Sequence, residues 1–217
     1  MSDRTRATHA TETILFLLIP DFSMIAFTSA IEPLRIANRL SGRPLYCWRL
    51  VSRDGQPVAA SNGIAIQVDA AIGASGPPPS GPLPAVVLCG GLGSERYNNK
   101  EVFAWLRRWD RRGAQVGALC TGAHVLARVG LLDQHRCTIH WENLPGFVEA
   151  FPEIEVSSDL YEIDRNRFTC SGGTAALDLM LHRIALAHGD ELATKVSEQC
   201  IVDRIRAEWG RPDCLVV

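Results

Sequence analysis

The chain has 217 residues, 47% of them hydrophobic and 21% charged, which fits a globular protein of about one domain and excludes a disordered or fibrous chain. Lys and Arg number 22 against 24 Asp and Glu, a formal charge of −2, so the basic excess of a free-standing nucleic-acid binder is missing. Seven cysteines, an odd number with no CxxC pair, exclude a disulfide scaffold and a zinc ribbon.

The N-terminus, MSDRTRATHATE, is polar and has no apolar signal-peptide core. No apolar run approaches the roughly 18 residues of a membrane span. The cytoplasm is the expected compartment, with no membrane partner. Residues 1–12 are expected to form a flexible N-terminus. Thr13 to Ile19 is a continuous apolar run, the pattern of a strand buried on both faces of a parallel sheet. Pro20-Asp21 ends it. From Ser23 to about Leu40 the apolar spacing turns helical through Met24, Phe27, Ala30, Ile31, Leu34 and Ala37, and Ser41-Gly42 closes the helix. A second strand is expected over Tyr46–Ser52 and a short alternating one over Gly63–Val68. Residues 73–84, rich in Pro and Gly, read as a long surface loop, since a buried strand, AVVLC (85–89), follows at once.

That strand runs into Gly90-Gly91-Leu92-Gly93. A helix is expected from about Asn99 to Arg112, with Arg107, Arg108, Arg111 and Arg112 on its solvated face. Ala114 to Leu119 is another buried strand and Thr121 to Val129 another helix. A helix over Trp141–Phe151 precedes a hairpin, VSSDLYEIDRNRFTCS, turning near Asp164-Arg165-Asn166. Helices over about Thr174–His188 and Gly189–Ala207 complete the series. Such alternation predicts an α/β fold, a mostly parallel sheet with helices on both faces.

The chemistry gathers around one cysteine. VGALCTGAHVLA (116–127) is a strand, a cysteine and a helix, the layout of a nucleophile elbow that lifts Cys120 above the carboxyl edge of the sheet. At a helix N-terminus the dipole favours thiolate, and the N–H of Thr121 would point into the same pocket. The plainer alternative is a buried, inert thiol. Gly90-Gly91 could bring main-chain N–H donors to a ligand, as in an oxyanion hole, or simply mark a turn. His140 could pair with the thiol or serve structure alone. His124 reads as packing, and a Cys120–His124–His140 metal site lacks a further ligand at convincing spacing, so neither metal nor cofactor is expected.

GALCTG, the TIH tripeptide ending at His140, the LCGG strand end and SGGTAALDLML (171–181) together resemble the ThiJ/PfpI superfamily, over about residues 13–206. This implies a flavodoxin-like, class I glutamine amidotransferase-like fold. FLLIPDFSMIAFTSAIEPLRIANRL, CTGAHVLARVGLLD, IHW and SEQCIVDRIR resemble one branch, the sensor domain of AraC-family transcription regulators. One departure stands out. Enzymes of the superfamily place an acid on the first helix beside the cysteine, and the matching position here is Ala26; Glu32 lies elsewhere on the helix. Thr121 stands where protease-like members have a histidine. Both losses favour binding over turnover.

The resemblance implies a domain over residues 13–207 and a tail or linker over 208–217, leading toward a helix-turn-helix domain absent from these residues. The chain would then be either a piece of a longer regulator or a sensor-only product. It implies a small-molecule effector, an amino acid or a quaternary amine; because the Gly-Gly turn, the elbow and the segment with His140 converge beyond the carboxyl ends of the strands, the effector is expected near Cys120, lined by Gly90, Gly91, Thr121, His140 and Trp141, with Glu142 as a counter-charge. It implies a homodimer, using Ile25, Phe27 and Ile31 or Ile201 and Ile205, and DNA contact only through the absent domain. The alternative is a cysteine-dependent hydratase, hydrolase or glyoxalase-like enzyme using Cys120 and His140.

Overall fold

The computed structural model describes residues 10–74 and 82–202. The expected N-terminal arm, most of the proline loop, the tail 208–217 and Ile205 lie wholly or largely outside the described residues. In chain order the elements begin with β1 (Glu12–Leu18), α1 (Met24–Ser41), β2 (Tyr46–Ser52), β3 (Val58–Ala59), β4 (Ala65–Ile66), β5 (Ala70–Ala71) and β6 (Ala85–Cys89). Then come α2 (Lys100–Asp110), β7 (Val116–Leu119), a 3-10 turn (Cys120–Gly122), α3 (Ala123–Val129), β8 (Cys137–Thr138) and a second 3-10 turn (Trp141–Asn143). The series ends with α4 (Leu144–Ala150), β9 (Val156–Ser157), β10 (Tyr161–Asp164), β11 (Arg167–Cys170), α5 (Ala175–His188) and α6 (Asp190–Gln199).

Seven strands form one sheet in the order β10-β11-β7-β6-β1-β2-β5. Every pairing is parallel except β10 with β11. β1 lies in the interior between β2 and β6, which is why its apolar run is unbroken. Ile14, Phe16 and Leu18 enter one core with α1, α5 and α6, while Leu15, Leu17 and Ile19 enter the other with α2, α3 and α4. Both faces of the strand are therefore dry, as in other parallel sheets.

The helices carry their own signals. Ser23 caps α1, accepting from the Ala26 N–H at 3.4 Å, and Gly42 closes it at φ 65 with its N–H on Arg39 O. Asn99 caps α2 by accepting from the Val102 N–H at 3.0 Å. Val102, Phe103, Trp105, Leu106 and Trp109 form the buried stripe of α2, and the four arginines face solvent as expected.

Several expected boundaries move. The strand expected over 63–68 shrinks to β4, paired antiparallel with β3. The strand beginning at Ala114 starts at Val116, because the Ala114 N–H is still bound to Trp109 O at the end of α2. Only Tyr161–Cys170 forms the hairpin, turning at Arg165 with φ 56. Val156–Ser157, expected as its first arm, pairs in parallel with β8. The last helix, expected over Gly189–Ala207, is described over Asp190–Gln199 and followed by Ile201 at φ 56, while residues 203–207 lie outside the described residues.

Candidate functional site

β7 is buried along its whole length and delivers Cys120 to the carboxyl edge of the sheet. Cys120 has φ 58, the left-handed region that a non-glycine residue enters at a cost of order 1–3 kcal/mol. The expected strand–cysteine elbow is present, but a single 3-10 turn intervenes before α3. The turn fits because a side chain on Gly122 would meet Leu88 at 2.7 Å, and one on Gly90 would meet Gly122 N at 2.4 Å. Gly172, at φ 91, presses from the other side: its Cβ would lie 2.7 Å from Cys120 Cβ and 2.8 Å from Sγ. Cys120 is thus boxed by three chain segments and is 7% exposed.

This burial decides the state of the thiol. Desolvation pushes its pKa up, and the Glu142 carboxylate adds to the rise. The Thr121 N–H and hydroxyl and the Ser23 hydroxyl pull the other way without prevailing. Burial thus holds the thiol's pKa above its ordinary value, the direction opposite to the one a helix terminus favours. Ala26 is itself buried in the same core cluster as Cys120, and Glu32 lies on the outer face of α1, paired with Arg35 at 2.6 Å. No helix carboxylate reaches the sulfur from α1.

A cavity of about 520 Å³ opens over Cys120. Of the expected site residues, Gly91, Cys120, Thr121 and His140 line it together; Gly90 and Trp141 do not. Gly90 is taken up in packing against Gly122. Trp141 is half-exposed and lies beside the His140 ring at 5.8 Å. The oxyanion role expected of Gly91 meets a competitor, since its N–H donates to Ser94 Oγ at 3.1 Å. The same buried Ser94 hydroxyl sits 2.9 Å from Gly91 O and 3.1 Å from Thr121 Oγ1. Ser94 thereby pins the loop after β6 to the elbow. The N–H of Leu92 is likewise spent on Asp21 O at 3.0 Å.

The remaining walls are polar. Ser23, Ser61 and Asn143 contribute neutral groups, Glu95 and Glu142 carboxylates, and Arg96 a largely exposed guanidinium 3.5 Å from Glu95. His140 Nδ1 lies 3.7 Å from Glu142 Oε2; the groups that act on the thiol are Thr121, Ser23 and Glu142. His124 is a packing residue, with its ring 5.0 Å from Phe147 and 6.3 Å from Phe151. Burial lowers its pKa, opposed by Glu95 and by a hydrogen bond with Asn143. Among the described residues no group of three or more His, Cys, Asp or Glu is placed to hold a metal, and no helix is long and apolar enough to cross a membrane.

Sequence reasoning missed Ser94, Ser23, Asn143 and Gly172. For Gly172 a signal existed, the Gly172-Gly173 pair at the end of a buried strand. The others announce themselves only through contacts between distant segments.

The DJ-1/PfpI family model matches residues 12–186. The HTH-type transcriptional regulator GbdR of Pseudomonas aeruginosa is 48% identical over 197 residues, which cover 91% of this chain and 52% of that protein. The HTH-type transcriptional regulator CdhR of the same species is 48% identical over 191 residues, 88% of this chain and 55% of that one. The chain thus spans about half the length of the curated relatives it matches. Among solved structures, an AraC family transcriptional regulator from Pseudomonas putida superposes with a TM-score of 0.75 at 29% identity, covering 87% of this chain and 99% of that one.

Proposed function

The chain belongs to the DJ-1/PfpI family, and from that premise we propose that it is the effector-binding and dimerising part of an AraC-type transcription regulator rather than an enzyme. The observation that carries the reading is the pairing of a boxed Cys120, its pKa pushed up by burial, with a buried alanine at position 26. General acid–base assistance is worth about 10²–10⁴-fold, and with alanine at position 26 the first helix supplies no carboxylate to give it. Relatives named as HTH-type transcriptional regulators, of whose length this chain spans about half, support the same reading. DNA contact would then belong to a separate helix-turn-helix domain, and the working compartment would be the cytoplasm.

The effector we propose is a small cationic or zwitterionic metabolite, an amino acid or a quaternary amine, held over Cys120. Glu95 and Glu142 supply the counter-charge at the cavity wall. Trp141 lies outside the cavity, so a cation–π cage from this residue is not part of the proposal. For the homodimer, the exposed Ile25 and Ile201 remain available, whereas Phe27 is buried in the core and Ile31 is partly packed against it; light scattering at micromolar concentration tests the association.

Calorimetry with a panel of amino acids and quaternary amines, alongside product assays on small aldehydes and isonitriles, tests the whole reading. We expect binding without turnover, with Cys120→Ser changing affinity by less than about tenfold. Robust turnover that disappears in Cys120→Ser would overturn it in favour of a hydratase, hydrolase or glyoxalase-like enzyme.

A further inference from the structure

Two chain segments carry the charged groups of the cavity over Cys120, and α3 touches both. The loop after β6 brings Glu95 and Arg96 to one wall; His140, Glu142 and Asn143 reach the other from the stretch that runs through the second 3-10 turn toward α4. Arg128 secures the first wall, its guanidinium donating to Tyr97 O at 2.7 Å and to Glu95 O. His124, four residues earlier and so on the same side of the helix, meets the second. Its ring lies 5.0 Å from Phe147 and 6.3 Å from Phe151, and its side chain hydrogen-bonds Asn143.

The second wall is lightly held. Phe147 is the one buried side chain of α4, and the 3-10 turn before it buries none. Neither begins with a side-chain cap. Trp141 and Val148 are about half-exposed, and Gly146, Glu149 and Ala150 face water. Such stretches sit at the low-stability end of a fold. α3, in contrast, is buried at every position but Arg128. A phenylalanine at position 124 would fill the same space beside Phe147; the imidazole adds a hydrogen bond to the cavity wall and a place for a proton.

We propose that His124 is a positioning residue for the cavity: packed edge-on against Phe147 and bonded to Asn143, it latches the wall that carries Glu142, and taking up a proton releases that wall. What the wall serves rests on the effector reading above; the latch itself does not. The charged groups that act on the ring are Glu95, on the opposite wall, and Arg128, on its own helix; Phe147, Phe151 and Asn143 of the packed segment carry no charge. Burial, the largest influence, holds the pKa below the ordinary histidine value. An imidazolium regains water when the segment lifts, so the latched state has the lower pKa. The latch is therefore complete above about pH 6.5 and weakens as pH falls below it. Arg128 grips main-chain carbonyls, so a proton on His124 leaves the first wall in place.

Hydrogen exchange by mass spectrometry on the 217-residue chain tests this, with amides 142–151 and 94–98 each normalised at every pH to free peptides of the same sequence. In the parent chain, exchange over 142–151 should rise about tenfold between about pH 7 and 5, while 94–98 stays level. His124→Phe and Asn143→Ala should each speed exchange over 142–151 about tenfold at pH 7, and in His124→Phe the acid rise should vanish. Combining the two should add little, since both remove one contact. His124→Gln, a hydrogen-bonding group that does not titrate, should restore protection with a level pH profile. Arg128→Gln should do the reverse, loosening 94–98 and sparing 142–151. Parent-like exchange in both His124→Phe and Asn143→Ala would reduce His124 to packing and overturn the proposal. So would both segments loosening together in either variant, or an acid rise that disappears in His140→Asn. Calorimetry with tetramethylammonium as the probe adds the consequence: His124→Phe should bind it about fivefold more weakly at pH 7, and unchanged affinity beside altered exchange would overturn the positioning role. The full exchange pattern in a parent chain that binds neither this probe nor any amino acid or quaternary amine would support the latch and count against the effector reading alone.

Discussion

Cys120 shows how one residue can be exposed by topology and closed by packing. The elbow projects it beyond the sheet, and Gly172 then covers it with the turn between β11 and α5. Because burial pushes the thiol's pKa up, alkylation by iodoacetamide should be slow at neutral pH and should level off at a higher pH than for a free cysteine. A rate already level near pH 7 would contradict this. Gly172→Ala combines a strained φ with a methyl 2.8 Å from Sγ. It should destabilise by more than about 1 kcal/mol and weaken effector binding; an unchanged thermal melt would count against it.

At the level of elements, legibility followed burial on both faces. β1 and β6 were readable because alternate residues feed the two cores, leaving no polar interruption. α1 and α2 were readable from their caps and stripes. The elbow was legible through its glycines, and Gly117 shows why: a Cβ there would sit 2.2 Å from the Phe168 ring of β11. Gly117→Ala must therefore push β11 from β7, and a loss of about 1–3 kcal/mol is expected by chemical denaturation. Free energy equal to that of the parent chain would show that Phe168 yields without cost. What was not legible depended on partners remote in sequence. β8 and β9 are two residues each and have no periodicity to detect. Gly90 is expected in the cavity as half of a Gly-Gly strand end and Trp141 as a face for a cation, yet Gly90 packs on Gly122 and Trp141 stands half-exposed outside the lining. A helix-terminus rule considers the dipole and omits desolvation, which raises the pKa of Cys120.

For the molecule as a whole, buried thiols set an alkaline limit. Cys137 and Cys170 are pushed up to about 12 by desolvation, and Cys89 and Cys120 are raised by the same cause. In the unfolded chain these thiols ionise near about pH 8.5, whereas the folded chain holds them neutral. Their folded values lie above the unfolded one, so the stability is complete below about pH 8.5 and is lost as pH climbs toward the folded values. Each thiol should contribute a slope of about 1.4 kcal/mol per pH unit across that window. Urea titrations between about pH 8 and 11 should show the decline, and Cys170→Ala should lessen it by that one thiol's share; a level profile would refute the assignment.

The packing of α1 has a further consequence, for synthesis. Its buried side, including Phe27, Leu34 and Ile36, is completed by α5 and α6 in the same core, and the chain reaches α5 only at Ala175. On a ribosome, β1 and β2 can meet early, but the apolar flank of α1 stays bare until nearly the whole domain has emerged. The nascent chain therefore spends most of its elongation with an uncovered sticky surface, the period in which chaperones hold their greatest influence over yield.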